Sequence, residues 1–124
     1  VEDDGNIRDA MSDVLKNYFD TVDAAADGQE GLQLYIDKYK NNDTPHDIVF
    51  TDINMPHMNG IEMSREILKI TPTQTITFLS AHTEHLDTVK ELGIKNFLVK
   101  PVKHQELSNH IFEISKEIYD GRNI

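Results

Sequence analysis

Apolar residues alternate between helical spacing and short continuous runs along this 124-residue chain, and this alternation limits the possible folds most. Four short runs are typical of strands: "TVDAAA", "DIVFTD", "TITFLS" and "NFLVKP". Five stretches between and around them carry apolar residues three or four positions apart, as on one face of a helix. These stretches begin near Ile7, Leu32, Ile61, Leu86 and Leu107. Strands and helices in strict turn predict a parallel sheet with helices on both faces.

Length and charge narrow the class of protein further. A chain of 124 residues fits one domain, which we assign to residues 1–124. The net charge of −10 would be repelled by a phosphate backbone, so we expect no direct nucleic-acid binding. No apolar run is long enough to span a membrane, and no signal peptide is recognisable. Cysteine is absent, which excludes disulfides and fits the cytoplasm.

The chain begins with "VEDDGNIR", in which a single apolar residue precedes three acids. A strand usually needs about five residues. We therefore expect that Val1 belongs to a first strand that is largely missing from the given chain, and that a longer chain carries apolar residues upstream. Asp4 is predicted to cap the first helix.

Polar side chains follow each predicted strand. In an open parallel sheet, ligands bind outside the carboxyl ends of the strands. Grouped carboxylates cannot all stay ionised without a countercharge, and a hard cation such as Mg²⁺ supplies one. Carboxylates with a metal, an amine and a hydroxyl suit phosphoryl transfer, in which a carboxylate can be the nucleophile. The residues at this edge are Glu2, Asp3, Asp52, Ser80 and Lys100.

Four motifs together resemble the receiver domain of bacterial two-component response regulators: "VEDDGNIR", "DIVFTDINMPHMNG", "TFLSAH" and "NFLVKP". They occur in the family's order and spacing over nearly the whole chain. The resemblance implies a flavodoxin-like, doubly wound five-stranded parallel sheet of strand order 2-1-3-4-5. It also implies a cis peptide bond between Lys100 and Pro101.

The resemblance assigns a role to each matching position. Asp52 matches the phosphoacceptor, and Lys100 matches the lysine that pairs with a phosphoryl oxygen. Asp3, Asp52 and the main-chain carbonyl of Asn54 match the Mg²⁺ ligands, with Glu2 acting through water. Ser80 matches the hydroxyl residue that turns toward the phosphoryl group, and Phe97 matches the aromatic switch position.

The histidines could instead indicate a metal site. His82 and His85 are three positions apart, but no carboxylate joins them at the spacing of a metalloenzyme, so surface histidines are the simpler explanation. In the family, the position of His82 tunes loss of the phosphoryl group, together with that of Asn54.

The resemblance implies that a histidine kinase or phosphotransfer protein donates a phosphoryl group to Asp52. It also implies that the domain is not an enzyme and catalyses only its own phosphorylation and slow dephosphorylation. The face of the fourth helix, fifth strand and fifth helix would then change and could support a dimer. The kinase, input, output domain and target stay open. One alternative is an unphosphorylated interaction module. Another is an aspartate-nucleophile phosphatase, which would need a second aspartate where Asn54 stands.

Overall fold

A computed structural model describes residues 1–42, 44–81, 86–94 and 96–122. From residue 28 onward its helices and strands alternate as the sequence predicts, whereas the first two helices follow each other with no strand between them. The elements in chain order are α1 (Gly5–Leu15), α2 (Gly28–Asn42), β1 (Ile48–Asp52), α3 (Gly60–Ile70), β2 (Thr75–Ser80), α4 (Leu86–Glu91), β3 (Asn96–Val99) and α5 (His104–Arg122).

The three strands form one parallel sheet in the order β1-β2-β3. They coincide with the predicted runs "DIVFTD", "TITFLS" and "NFLVKP", which are therefore confirmed. Asp52 lies opposite Leu79, and Ser80 lies opposite Val99, so the carboxyl ends of the strands meet at one edge.

The predicted strand "TVDAAA" is wrong, since residues 21–26 have no strand structure. The segment beside them, residues 1–3, is too short to build a ladder. It still joins its neighbours: Glu2 donates a main-chain hydrogen bond to Ala25 at 3.0 Å, and Asp52 donates one to Val1 at 2.9 Å. Residues 1–3 therefore lie between residues 21–25 and β1, which keeps the spatial order of the flavodoxin-like sheet.

Helices cover both faces of the sheet. On one face, a buried cluster joins α2, α3 and α4 to the sheet through residues such as Tyr35, Ile67, Phe78 and Val89. On the other face, Phe50 and Leu79 pack against α5, and the apolar side of α1 completes this second cluster. Because successive strand residues point to opposite faces, β1 and β2 contribute to both clusters.

The predicted apolar stripe of α1 is only partly used. Met11, Val14 and Leu15 pack against the second cluster, whereas Ile7 at the start of the helix and Tyr18, three residues beyond its end, are exposed. The predicted cap is confirmed, because the Asp4 side chain accepts hydrogen bonds from the main-chain N–H groups of Asn6 and Ile7. No helix among the described residues is long and apolar enough to cross a membrane.

The contact between α5 and β2 includes a polar pair. The hydroxyl of Thr77 and the Nε2 atom of His110 are 2.8 Å apart, and the His110 ring lies edge-on to Phe50. Burial lowers the pKa of His110, although Glu113 and Glu117 on the same helix act to raise it. The folded chain therefore favours the neutral imidazole.

We expect stability to fall as the pH is lowered through this histidine. Below its ordinary pKa of 6.5 the unfolded chain binds a proton that the folded chain does not, until the pH reaches the lower folded pKa. Denaturant unfolding between pH 7 and pH 5 measures this slope, and His110→Gln should reduce it. His104→Gln, on the exposed start of α5, is the control, and equal slopes in both variants would contradict the prediction.

Candidate functional site

Carboxylates from two separate parts of the chain meet at the carboxyl edge of the sheet. Single carboxylate oxygens of Glu2, Asp3 and Asp52 lie within 4.8 Å of one another. Glu2 is buried, Asp52 is partly buried and Asp3 is exposed. The main-chain bonds of residues 1–3 to Ala25 and β1 place Glu2 and Asp3 beside the end of β1.

Lys100 supplies the positive charge in this cluster. Its Nζ atom donates to the Oδ2 atom of Asp52 at 3.0 Å and also contacts Oε1 of Glu2. Burial acts to lower the pKa of Lys100, but its hydrogen bonds to Glu2 and Asp52 outweigh burial and raise that pKa. The amine therefore stays protonated between the two carboxylates.

Asp3 is the most open of the three acids. Desolvation, followed by its hydrogen bond with Glu2, raises the pKa of the Asp3 carboxyl. Lys100 acts in the opposite direction, but only weakly at this carboxyl. A cation approaching from solvent would therefore meet Asp3 first and relieve the crowding of negative charge.

Asp52 is held by the main chain around it. Its Oδ1 atom accepts a hydrogen bond from the N–H of Ile53 at 2.8 Å, so each carboxylate oxygen has a donor. Gly60 comes so close that a side-chain carbon there would lie 2.1 Å from the carbonyl oxygen of Asp52. A capping box of Asn59 and Glu62 starts α3 at this glycine, and Gly60 also donates to Ile53 at 2.8 Å.

Ser80 is buried at the end of β2. The main-chain N–H of Lys100 donates to the Ser80 carbonyl at 2.8 Å, which ties this residue to the lysine. The Lys100–Pro101 bond is cis, as the resemblance implies.

The sequence also assigns roles to Asn54, Phe97 and His82. Asn54 is exposed in the loop after Asp52. Phe97 is partly buried against the first cluster, three residues before Lys100. His82 and His85 lie outside the described residues.

Sequence reasoning missed Arg8. Its guanidinium donates to the main-chain carbonyl of Glu2 at 2.9 Å, so a second cation stands beside the acids. The sequence did place Arg8 one turn after Asp4 in the capped helix, which brings its side chain close to the start of the chain.

The donor set suits a hard divalent cation. The site offers oxygen ligands, and one of its carboxylates is open to solvent. Such a site matches Mg²⁺, which keeps several waters when it binds. The three acids carry negative charge that Lys100 and Arg8 together do not balance.

Saturating Mg²⁺ should raise the thermal unfolding temperature, because a cation that binds only the folded chain stabilises it by about 2.7 kcal/mol at 100 times its Kd. Scanning calorimetry with and without Mg²⁺ measures the shift. Asp3→Asn should remove most of it.

The matched control is Asp4→Asn, which loses the same charge one residue away and keeps a good helix cap. It should retain the Mg²⁺ response. Equal responses in the two variants would mean that diffuse negative charge, rather than this cluster, binds the ion.

The chain matches a known protein family over most of its length. Residues 1–112 match the family described as "Response regulator receiver domain". The chemotaxis protein CheY of Thermotoga maritima is 32% identical over 119 residues, which cover 94% of each chain. The alkaline phosphatase synthesis transcriptional regulatory protein SphR of Synechococcus elongatus is 34% identical over 117 residues, but the chain spans only 44% of it.

A solved structure is similar throughout the fold. The CheX-CheY-BeF₃-Mg²⁺ complex of Borrelia burgdorferi contains a chain that is 28% identical, with a TM-score of 0.77. The match covers 91% of this chain and 84% of that one.

Proposed function

Because this chain belongs to the response regulator receiver domain family and serves phosphorelay signalling, we propose that Asp52 is the residue that takes the phosphoryl group. The observation that carries the assignment is the pairing of Asp52 with Lys100 at 3.0 Å inside the acid cluster. The domain would extend over residues 1–124.

Asp52 would act as the nucleophile. One oxygen of its carboxylate attacks the phosphorus of a phosphohistidine, the P–N bond breaks, and the imidazole of the donor leaves and takes up a proton from water. Ile53 and Lys100 hold the two carboxylate oxygens and so orient the nucleophile before attack.

Mg²⁺ is the cofactor that we propose. Asp3, Asp52 and the main-chain carbonyl of Asn54 would hold it, and Glu2 would contact it through water. The similar CheX-CheY complex of Borrelia burgdorferi contains BeF₃ and Mg²⁺ together, which supports this choice. The ion would offset the negative charge that gathers when a phosphoryl group meets carboxylates.

The phosphoryl group would then change the surface of the domain. Its added negative charge attracts the Lys100 amine and the Ser80 hydroxyl. Ser80 and Lys100 are linked through the main chain, so both strand ends respond together. Phe97 follows by packing inward, and the face of α4, β3 and α5 shifts between two states.

This mechanism requires a phosphoryl donor and a protein that binds the switched face. A histidine kinase or phosphotransfer protein donates the phosphoryl group, and the face of α4, β3 and α5 meets an output domain, a target or a second copy. Val99 on β3 is exposed there, as such a face requires. We propose the cytoplasm as the compartment, and no direct contact with nucleic acid by this acidic domain.

The domain would act as a switch and not as a turnover enzyme. Asn54, two residues after Asp52, lacks the carboxylic acid that a phosphatase with an aspartate nucleophile uses at that place. We propose that Asn54 and His82 instead set the rate at which water removes the phosphoryl group.

Acetyl phosphate with Mg²⁺ should add one phosphoryl group to the chain, visible by intact-mass spectrometry. Asp52→Asn should abolish the gain, because an amide is a far weaker nucleophile than a carboxylate. A chelator added beforehand should suppress it as well. If a folded sample gains no mass, the unphosphorylated interaction module becomes the better explanation.

Ser80→Ala should keep phosphoryl uptake within a few-fold and weaken the response of the surface, since in this proposal the hydroxyl acts on the transferred phosphoryl group and is not the nucleophile. Amide NMR shifts of residues 97–99 before and after phosphorylation measure the response.

Ser64→Ala is the matched control for this hydroxyl. Ser64 is buried in α3, and its hydroxyl has no hydrogen-bond partner among the described residues. Equal shifts in the two variants would remove Ser80 from the switch.

A further inference from the structure

The first turn of α2 contacts the loop that follows Asp52. The main-chain N–H of Gly28 donates to the carbonyl of Met58 at 2.9 Å, and Gly28 is buried. This N–H is one of the helix N-terminal donors that have no partner inside the helix, and here the loop satisfies it.

No side chain fits at this contact. A side-chain carbon on Gly28 would lie 2.3 Å from the carbonyl oxygen and 2.9 Å from the carbonyl carbon of Met58. Both atoms belong to the main chain, so a substitution has to move the loop or the helix.

A second contact lies beside the first. The Asp27 carboxylate accepts the N–H of Glu30 at 2.9 Å, and its other oxygen is 4.0 Å from Nε2 of His57. His57 has a φ of 66°, a left-handed conformation that is uncommon for residues other than glycine. The loop therefore makes a tight turn where it faces α2.

The loop of residues 53–59 is fixed at both ends. Gly60 donates to Ile53 at its base, and Gly28 holds Met58 near its far end. Ile53 in turn donates to the Asp52 carboxylate at 2.8 Å. A displacement of Met58 would therefore also displace Ile53, which orients Asp52, and the main-chain carbonyl of Asn54.

We propose that Gly28 is a positioning residue for the cation and phosphoryl site at Asp52, although it belongs to a different helix and touches neither ligand. This inference rests on the proposed function. The first turn of α2 sets the place of the loop, and the loop sets the Asn54 carbonyl against the carboxylates.

Gly28→Ala should raise the Kd for Mg²⁺ by about tenfold or more, the size of effect seen when a residue supporting metal ligands is lost. It should also slow phosphorylation by acetyl phosphate at saturating Mg²⁺. Isothermal titration and timed intact-mass measurements give the two values separately.

Two control variants separate positioning from general damage. Gln29→Ala changes the exposed neighbour in the same helical turn. Ile67→Val weakens the buried core near the other end of α3 and serves as a destabilised reference. Both should keep the Kd within about twofold of the parent, as expected of sites away from the ligands. A Gly28→Ala value in that range would overturn the proposal.

Hydrogen exchange on the unaltered chain tests the same coupling without any variant. Coupling between two sites is reciprocal, so Mg²⁺ binding should slow exchange of the Gly28 amide. The amide of Leu107 in α5, which donates within the main chain, is the internal reference. Equal changes at the two amides would overturn the proposal, even if Gly28→Ala fails to fold.

The two proposals fail in different ways. If the parent chain binds Mg²⁺ but takes no phosphoryl group, the proposed function fails while the Kd and exchange results still decide the role of Gly28. If the parent binds no Mg²⁺, both proposals fall.

Discussion

Charge balance at the carboxyl edge of the sheet is the constraint on which this structure depends. The end of β1 and the main-chain hydrogen bonds of residues 1–3 bring Glu2, Asp3 and Asp52 together whether or not their charges are compensated. Lys100, from the end of a third segment, compensates part of that charge through contacts with two of the acids. Because this compensation is partial, the edge keeps negative charge that the proposed Mg²⁺ would offset.

Main-chain contacts give this charge cluster its shape. Gly28 and Gly60 allow two helices to approach the loop after Asp52 more closely than any residue with a side chain would permit. The loop is therefore held by carbonyl and N–H groups, whose positions vary less than those of long side chains. The proposed binding of a small ion and a phosphoryl group at this site would gain from that rigidity.

Much of this arrangement could be predicted from the sequence, because buried parallel strands leave continuous apolar runs and their ends fall at one edge. The runs at β1, β2 and β3 were therefore predicted correctly, and so was the gathering of the acids with Lys100. "TVDAAA" was predicted wrongly as a strand, since the segment beside it, residues 1–3, is too short to form a ladder with it. The role of Gly28 was missed because its contact with Met58 joins residues 30 positions apart and involves no side chain. Arg8 was missed because it binds a carbonyl, which leaves no charge pattern in the sequence.

The hydrogen bond from the Lys100 N–H to the Ser80 carbonyl has a consequence for how such a chain can change in length. It fixes the register of β3 against β2 at the point where both strands deliver a side chain to the site. One residue inserted before Lys100 would turn its side chain to the opposite face of the sheet. Insertions and deletions should therefore accumulate in the connections at the amino ends of the strands, at the opposite edge of the sheet from the site, and be rare at the carboxyl ends of β2 and β3.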